Sequence, residues 1–272
     1  MQQIKLTYHA IDDKKFEKKT CTGRTERTYI NKPSVLTYAD KPVMVYGQFP
    51  NSPQLEHLRS LLKSLEFGTS TRTAGLVSTS RTFGFMPRVT IRRDFCTATA
   101  MSKDHPLAFD ELMRFGEVIA QKYQEFFPET FAKQTKIVND SILQDWIIPK
   151  TPFTSGIANK NNALKYHYDN GNFDEVASCM LVLKKNSQGG NLCIPMFDLQ
   201  IDICDRGFVI FDGQSILHGV SPINNVNSQA YRYSVVYYAL KAMTYCLTPT
   251  EELARIRTVK RIREKKRLHS NG

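Results

Sequence analysis

The second half of the chain is a series of short apolar runs separated by turn residues. Glycine, asparagine and proline interrupt the runs every few residues, a pattern that is typical of a sandwich or barrel of short strands. We therefore predict a turn at 188–191 and strands in five segments: Val176–Leu183, Leu192–Pro195, Arg206–Phe211, His218–Pro222 and Tyr231–Leu240.

The first half mixes strands with two amphipathic helices. Segments 34–38 and 42–46 are rich in strand-forming residues. Ser52 followed by Pro53 is typical of a helix start, and we expect that helix to end at Gly68. A second helix is predicted from about 106 to 127, and residues 69–80, which lack an apolar period, are predicted to form a loop. The apolar stripes are Leu55, Leu58, Leu61, Leu62 and Leu65 in the first helix, and Leu112, Phe115, Ile119, Tyr123 and Phe126 in the second.

A third helix is predicted at the C-terminus. Thr248 followed by Pro249 and by acidic residues suits a helix N-terminus. Apolar residues then recur every three positions and predict a stripe that docks on the barrel: Leu253, Ile256, Val259 and Ile262. The basic residues would project from the other faces: Arg255, Arg257, Lys260, Arg261, Arg263, Lys265, Lys266 and Arg267.

The charge balance changes this picture by indicating a polyanionic partner. The chain has 37 basic and 26 acidic residues, a formal net charge of +11 and an isoelectric point near 9.3. Such an excess attracts nucleic acid, although a run of charges is often only a solvated surface. Besides the C-terminal run, a second basic cluster contains Arg81, Arg88, Arg92 and Arg93.

The cysteines and the absence of long apolar runs indicate a reducing compartment. The six cysteines include no Cys-x-x-Cys pair, and three of them lie inside predicted strands, so we expect buried free thiols. The sequence contains neither a signal-peptide pattern nor a membrane span. We therefore expect an intracellular protein of the cytoplasm or nucleus, without a membrane partner.

The candidate chemistry lies between Tyr166 and Tyr238. His167 and Asp169 are two residues apart, so at a strand end both side chains can reach one ion. His218 supplies a second imidazole about fifty residues later. Two histidines and one carboxylate on one face of a metal leave the other positions open, as in non-haem Fe(II) oxygenases. Asp212, although close to His218, is better explained as the turn residue of an Asp-Gly pair.

The order of strands and motifs resembles the double-stranded β-helix of 2-oxoglutarate- and Fe(II)-dependent dioxygenases. In that family an arginine soon after the distal histidine binds the far carboxylate of 2-oxoglutarate, and Arg232 lies fourteen residues after His218. A guanidinium fork suits a carboxylate in a way that lysine does not. The resemblance implies an α+β fold with a double-stranded β-helix (jelly-roll or cupin-like) core, flanking N-terminal helices and a C-terminal basic helix.

Within that superfamily the chain is most similar to the TET and J-binding-protein (TET/JBP) group, which oxidises the methyl group of a pyrimidine in DNA. Asn172 matches an asparagine that contacts the flipped base in TET members, and Ser234 matches a serine beside the co-substrate arginine. The resemblance implies a metal site of His167, Asp169 and His218, co-substrate binding by Arg232 and Ser234, and substrate binding by Asn172. The implied cofactors are Fe(II) and 2-oxoglutarate, and the implied partners are DNA and oxygen.

Alternatives remain at several residues and for the function. Asn172 could be turn chemistry in Asn-Gly-Asn, Arg232 could pair with a carboxylate, and His167 with Asp169 could be a surface turn pair. The leading function is hydroxylation of the 5-methyl group of a pyrimidine in DNA, with 5-methylcytosine ahead of thymine. The runner-up is a protein side-chain hydroxylase of the same fold, such as a prolyl hydroxylase, and a binding module on an inactive barrel ranks last.

The chain shows neither an internal repeat nor a linker that would divide it. We therefore expect one dioxygenase domain over residues 1–272. Within it we expect an N-terminal extension with bracing helices (1–150), a double-stranded β-helix core (151–245) and a basic tail (246–272). The sequence leaves the oligomeric state open.

Overall fold

The computed structural model describes residues 1–23, 26–71, 77–89 and 94–270. The helices are α1 (Asp13–Phe16), α2 (Pro53–Ser64), α3 (Met101–Asp104), α4 (Pro106–Phe126), α5 (Pro128–Ser141) and α6 (Pro249–Ser270), and short 3₁₀ turns cover Gln144–Trp146, Pro195–Phe197 and Lys241–Tyr245. The strands are β1 (Gln2–Lys5), β2 (Thr28–Ile30), β3 (Ser34–Tyr38), β4 (Lys41–Gln48), β5 (Thr69–Thr71), β6 (Val77–Met86), β7 (Thr97–Ala98), β8 (Ser155–Lys160), β9 (Leu164–His167), β10 (Ser178–Lys185), β11 (Ser187–Gly189), β12 (Leu192–Ile194), β13 (Leu199–Ile201), β14 (Gly207–Phe211), β15 (His218–Val220), β16 (Ile223–Asn225) and β17 (Tyr231–Tyr238).

Two mainly antiparallel sheets form the centre of the described protein. The larger sheet has ten strands in the order β1-β3-β4-β14-β10-β17-β8-β6-β5, with β7 beside β6, and the smaller has the order β2-β13-β12-β15-β9. β11 and β16 form a separate ribbon. Strands from the N-terminal half extend the larger sheet at both ends, because β4 pairs with β14 and β6 pairs with β8. The predicted jelly-roll core with flanking helices is confirmed.

One apolar core fills the space between the two sheets, and another lies between the larger sheet and the helices. Met180 and Val209 of the larger sheet share the first core with Leu192 and Leu199 of the smaller sheet. In the second core, which is larger, the opposite face of β10 and β17 packs against α2 and α4. Both faces of the central strands are therefore buried, which explains why β14 and the buried residues of β10 are almost wholly apolar.

The alternation of side chains along β10 and β17 decides which residues face the smaller sheet. Met180 lies opposite Val236, Val182 opposite Ser234, and Lys184 opposite Arg232. Since residues two apart point to the same side of a strand, this set shares the face of Met180 and Val182, which pack in the core between the sheets. Arg232 and Ser234 therefore point toward the smaller sheet.

The two helices predicted in the first half are confirmed, whereas the long helix α5 and the single-turn helices α1 and α3 were missed. In α2 the Ser52 hydroxyl accepts a hydrogen bond from the Leu55 amide at 3.2 Å, with Pro53 in the first turn; the helix ends at Ser64, earlier than the predicted Gly68. The predicted stripe of α4 is buried apart from Phe126, which is only partly covered. The long helix that was missed, α5, begins at Pro128 and buries only Gln134 and Val138, too few positions for an apolar period to be visible.

Three smaller predictions from the pattern need correction. Most of the predicted loop at 69–80 is strand, because 69–71 belong to β5 and 77–80 to β6; residues 72–76 lie outside the described ones. The predicted turn at 188–191 is wrong: β11 pairs with β16 and β12 pairs with β15 in one continuous register, so the chain does not reverse there, although Gly189 and Gly190 both have φ near +70°. The strand predicted to start at Arg206 begins one residue later, since Arg206 itself has a positive φ.

The expectation of six free cysteines is wrong for two of them. Cys96 and Cys246 form a disulfide whose partners are 150 residues apart in sequence. Cys21, Cys179, Cys193 and Cys204 are free thiols. No sequence spacing could have indicated the pair, because the tertiary fold alone brings the two cysteines together.

The C-terminal helix begins as predicted and docks less completely than predicted. Thr248 accepts from the Glu251 amide while the Glu251 carboxylate accepts from the Thr248 amide at 2.9 Å, a reciprocal capping box. Of the predicted apolar stripe, Ile256 and Val259 are half-buried, whereas Leu253 and Ile262 are each 49% exposed. Among the described residues, no helix is both long enough and apolar enough to cross a membrane.

Candidate active site

The smaller sheet brings the two histidines of the motif together. His167 is the last residue of β9 and lies directly opposite His218, the first residue of β15. Their ring centroids are 4.4 Å apart. An Asp169 carboxylate oxygen lies 3.6 Å from Nε2 of His167 and 3.8 Å from Nε2 of His218. One ligand atom from each of the three residues therefore falls within 4.8 Å of the others, close enough to bind one metal ion.

Backbone carbonyls orient both imidazole rings. Nδ1 of His167 lies 2.7 Å from the Lys165 carbonyl oxygen, and Nδ1 of His218 lies 2.8 Å from that of Ile216. A carbonyl only accepts, so each Nδ1 carries the proton and each Nε2 keeps its lone pair for a metal. Burial lowers the pKa of His218, which favours the neutral form that binds a metal.

Gly213 makes room for the carboxylate of the triad. The Asp169 amide donates to the Gly213 carbonyl at 2.8 Å. A Cβ atom at position 213 would lie 2.3 Å from an Asp169 carboxylate oxygen and 3.3 Å from His218 Cε1, so a side chain there would displace the ligands. Asp212 has the predicted turn role, because its carboxylate accepts from the amides of Gln214 and Ser215.

Arg232 is a buried cation whose fork faces the interior. It is 2% exposed, and within the part of the chain that the structure describes neither Nε nor Nη2 has a hydrogen-bond partner. Burial lowers the pKa of Arg232 to about 10, so the group is still protonated at neutral pH. A buried, protonated guanidinium with unused donors fits an anionic ligand such as a carboxylate, and the structure does not support the alternative of a structural ion pair.

Gly190 and an asparagine network surround this arginine, and sequence reasoning missed both. A Cβ atom on Gly190 would lie 2.7 Å from Cδ and Nε of Arg232. Any residue other than glycine at position 190 would therefore clash with the Arg232 side chain. Asn159 on β8 donates to the Ser234 hydroxyl at 3.3 Å and accepts from Asn162 at 3.2 Å. With its hydroxyl oxygen already accepting, Ser234 has its proton to donate. The run of asparagines at 159, 161 and 162 was the available signal.

Asn172 is buried just behind the metal-site segment. It is 8% exposed, and its side-chain amide donates to the Ser178 hydroxyl at 3.2 Å. Its backbone also bridges to Leu240. Asn172, three residues after Asp169 in the sequence, is thus held by Ser178 and Leu240, and one hydrogen of its side-chain amide is already bonded to Ser178.

The mid-chain basic cluster is not a free cationic patch where the structure describes it. Arg81 donates to Asp104 at 2.9 Å, and Arg88 donates to Glu252 at 2.6 Å. Arg92 and Arg93 lie outside the described residues. Arg81 and Arg88 are therefore held by carboxylates of the protein, which favours Arg232 over either as the cation for a bound carboxylate.

Taken together, the arrangement suits a metal ion at one end and a dicarboxylate at the other. Two imidazoles and one carboxylate provide a mixed nitrogen and oxygen donor set with open positions, the set that non-haem iron prefers. The unpaired guanidinium lies on the inner face of the opposing sheet and can bind a carboxylate. The donor set and the buried fork both fit Fe(II) with 2-oxoglutarate.

A family model and several solved structures are similar to this chain. The model of Tet_JBP, described as the oxygenase domain of the 2OGFeDO superfamily, matches residues 86–241. That superfamily uses Fe(II) and 2-oxoglutarate. No curated protein matches the sequence.

Among solved structures, NgTET1 in complex with 5mC DNA has a TM-score of 0.60 and 15% identity, covering 85% of this chain and 86% of that one. A 2OG-Fe(II) oxygenase family oxidoreductase from Burkholderia pseudomallei has a TM-score of 0.44 and 13% identity, covering 73% and 88%. The structure of OsALKBH1 has a TM-score of 0.45 and 14% identity, covering 73% and 98%.

Proposed function

The chain belongs to the Tet_JBP family, the oxygenase domain of the 2OGFeDO superfamily, and we propose that it hydroxylates the 5-methyl group of a pyrimidine base in DNA. 5-Methylcytosine is the first candidate and thymine the second. The similar structure of NgTET1 is a complex with 5mC DNA, and the net charge of +11 favours a polyanionic substrate. We also propose that the whole chain is one dioxygenase domain.

The observation that carries the proposal is the pairing of the His167, Asp169 and His218 cluster with the buried fork of Arg232. In this proposal the three residues hold Fe(II), and Arg232, with Ser234, binds the far carboxylate of 2-oxoglutarate. When bound, these cofactors supply oxidising power: one oxygen atom of O₂ leaves in succinate, released with carbon dioxide, and the other enters a C–H bond of the substrate.

The contribution of the protein is orientation and the exclusion of water. The carbonyls of Lys165 and Ile216 hold the imidazole rings in place. Arg232 fixes the direction of the co-substrate from the opposing sheet. A target base inside a duplex must be flipped out of the stack to reach the metal side, and Asn172, with its amide held by Ser178, is the proposed reader of its polar edge.

The direct test measures oxidised nucleosides. The purified protein, Fe(II) and 2-oxoglutarate are incubated with duplexes that contain 5-methylcytosine, thymine only, or unmodified cytosine, and the digested nucleosides are analysed by mass spectrometry. We expect the hydroxymethyl base from the methylated duplex, with an equal amount of succinate, and none from the Asp169→Ala variant. Succinate without base oxidation, together with hydroxylation of a proline-containing peptide, would favour the protein hydroxylase instead.

A further inference from the structure

Helix α6 presents three exposed basic residues on the side opposite to its docked side. Glu252 is 1% exposed, and Arg255, Ile256 and Val259 are half-buried; these positions follow the spacing of one helix face. The exposed basic residues Arg257, Lys260 and Arg261 share the opposite face by the same spacing. From 253 to 270 the sequence holds eight lysines and arginines and a single acid, Glu264.

A compact set of polar contacts fixes the beginning of this helix. The Glu252 carboxylate accepts from Arg88 Nε and Nη2 at 3.2 and 2.6 Å, and from the amides of Cys96 and Leu247 at 3.0 Å each. We call Glu252 with these donors the Glu252 clamp. Burial alone would raise the pKa of Glu252, but the hydrogen bonds from Arg88, Leu247 and Cys96 outweigh it and the pKa is lowered. The clamp therefore holds a charged carboxylate.

Two further connections surround the Glu252 clamp. Arg255 donates to the Asp94 carboxylate at 2.8 Å, and the Cys96–Cys246 disulfide ties the segment before α6 to the same loop. An exposed ion pair on its own contributes little. Together with the buried Glu252, however, these connections constrain the first two turns of α6 on several sides, so the direction of the helix is set by the body of the protein.

The root of α6 also lies next to the active-site segment. Met243 and Cys246 share an apolar cluster with Phe173 and Val176. The Lys241 amide donates to the Gly171 carbonyl at 2.9 Å. The segment that contains Asn172 is therefore packed directly against the segment from which α6 departs. The helix itself follows the residues that the family model matches.

We propose that α6 is an arm that binds the phosphate backbone of duplex DNA beside the target base, and that the Glu252 clamp sets its direction. This inference rests on the proposed DNA substrate. From 257 to 270 a helix extends about 21 Å, roughly six base pairs along a duplex. Phosphate contacts position a protein on DNA without reading sequence, and an arm held in advance loses less entropy on binding than a free one.

The arm is tested with the full chain and a fluorescent duplex that contains no 5-methylcytosine. The triple variant Arg257→Gln, Lys260→Gln, Arg261→Gln should bind at least tenfold more weakly near 0.1 M salt. The slope of log K against log salt should shrink by about one for each phosphate that the variant no longer binds. The matched control is Arg114→Gln, Lys136→Gln, Lys150→Gln, whose side chains are 65%, 76% and 72% exposed and belong to other segments of the chain.

Both triple variants lower the formal charge from +11 to +8, so a general charge effect would weaken them equally. Unequal weakening, with the larger loss in the α6 variant, is the expected result. An unchanged affinity and slope in the α6 variant would overturn the arm. So would loss of binding to an RNA of the same sequence with no loss on duplex DNA, because the partner would then be RNA.

The clamp is tested by two substitutions that change charge identically. Glu252→Gln and Glu264→Gln each raise the formal charge from +11 to +12, and extra positive charge alone strengthens DNA binding. We expect Glu264→Gln to bind equally or more tightly and Glu252→Gln to bind several-fold more weakly, because its arm loses direction. Equal tightening in both variants would disprove the positioning role.

A charge-neutral variant covers the case in which Glu252→Gln fails to fold. Asp94→Asn with Arg255→Gln keeps the charge at +11 and removes the partly exposed ion pair; it should weaken DNA binding about twofold or more, and no change would count against the clamp.

These measurements need no base oxidation. If no base is oxidised while the arm variants behave as expected, the proposed function fails and the DNA arm stands. If the base is oxidised normally while the arm variants bind like the wild type, the proposed function stands and the arm fails.

Discussion

The two ends of the candidate active site differ in how their polar groups are satisfied before any ligand binds. At the metal end, the imidazole rings donate to nearby backbone carbonyls, and the His167 and Asp169 side chains remain 31% and 30% exposed. At the other end, Arg232 is 2% exposed, and among the described residues its Nε and Nη2 find no acceptor. One end is arranged by local backbone; the other holds a buried charge that is attracted by Asp202 but whose Nε and Nη2 donate no hydrogen bond to the described residues.

This difference assigns separate tasks to the two ends. The metal end is oriented without a ligand and stays open on one side, so a substrate can approach it. The arginine end is unfavourable alone: its pKa, lowered by burial to about 10, corresponds to about 3 kcal/mol of destabilisation of the charged form. A carboxylate that accepts from the fork removes this penalty. If Arg232 binds the co-substrate as proposed, relief of this penalty contributes part of the binding free energy.

The largest effect is expected from removing the metal ligands. His167→Ala, Asp169→Ala and His218→Ala should each abolish succinate formation, because a site with two ligands holds the ion too weakly. The fold should persist, since the barrel cores consist of apolar side chains. Iron content, succinate and thermal unfolding are measured together. Iron bound at wild-type strength in all three variants would refute the triad.

The next effect concerns the co-substrate. Arg232→Lys keeps the charge and loses the fork, so the affinity for 2-oxoglutarate should fall by about 1.5–3 kcal/mol, roughly 10- to 150-fold. Isothermal titration with the iron-loaded protein measures it. Arg81→Lys is the control, because Arg81 already pairs with Asp104. Unchanged affinity in Arg232→Lys would mean that another cation binds the carboxylate.

The same residue tests whether the comparison between the two ends is correct. Arg232→Met replaces an unpaired buried charge with an apolar side chain, so without co-substrate the free energy of unfolding should be unchanged or up to about 3 kcal/mol higher. The variant should no longer gain stability from added 2-oxoglutarate, whereas the wild type should. Urea unfolding at neutral pH measures both. A strongly destabilised variant would indicate that Arg232 has a structural partner.

A smaller effect is expected at Gly213, where the metal end depends on available space. Gly213→Ala places a methyl group against the Asp169 carboxylate, so the ligand must turn and iron affinity should fall about 10- to 100-fold, the range seen when the groups that orient metal ligands are disturbed. Gly68→Ala is the matched control, since a Cβ there meets nothing within 4 Å. Equal iron affinity in both variants would show that Asp169 adapts freely.

The sequence was informative where the determining contacts are local. The ligand atoms of His167 and Asp169 lie close enough to bind one ion, as their spacing of two residues predicts, and the leucine stripe of α2 follows from the helical period. The sequence could not reveal contacts between distant segments, such as the Cys96–Cys246 disulfide or the Arg88–Glu252 pair. It singled out Arg232, but the fact that Nε and Nη2 of this arginine find no hydrogen-bond partner among the described residues becomes visible only in the folded protein.

The predictions of helices and strands failed where the local pattern of apolar residues was weak and contacts with distant segments determine the structure. α5 buries only two residues, so its pattern resembles a loop. Strand β6 begins among serines and threonines without alternation, and it is held by pairing with β8. In α6 the apolar spacing predicted four docked residues, but the helix leaves the body and two of them face solvent. The spacing of apolar residues in a helix cannot by itself show how far along the helix another part of the protein covers it.

The smallest effect is expected at Asn172. It tests the proposed contact with the substrate base, after the tests of the metal end and the arginine end. If this amide reads the base, Asn172→Ala should lower oxidation of the methylated base about fivefold, the scale of one hydrogen bond near 1 kcal/mol. Substrate-independent succinate formation should not change, because neither the metal ligands nor Arg232 is touched. Ser178→Ala is the control, since it removes the partner that accepts from Asn172 but leaves the amide in place. A base reader predicts a greater loss in Asn172→Ala than in Ser178→Ala, measured as nucleoside product for each succinate formed. Equal loss of stability in both variants, with an unchanged product ratio, would instead make Asn172 a structural turn residue.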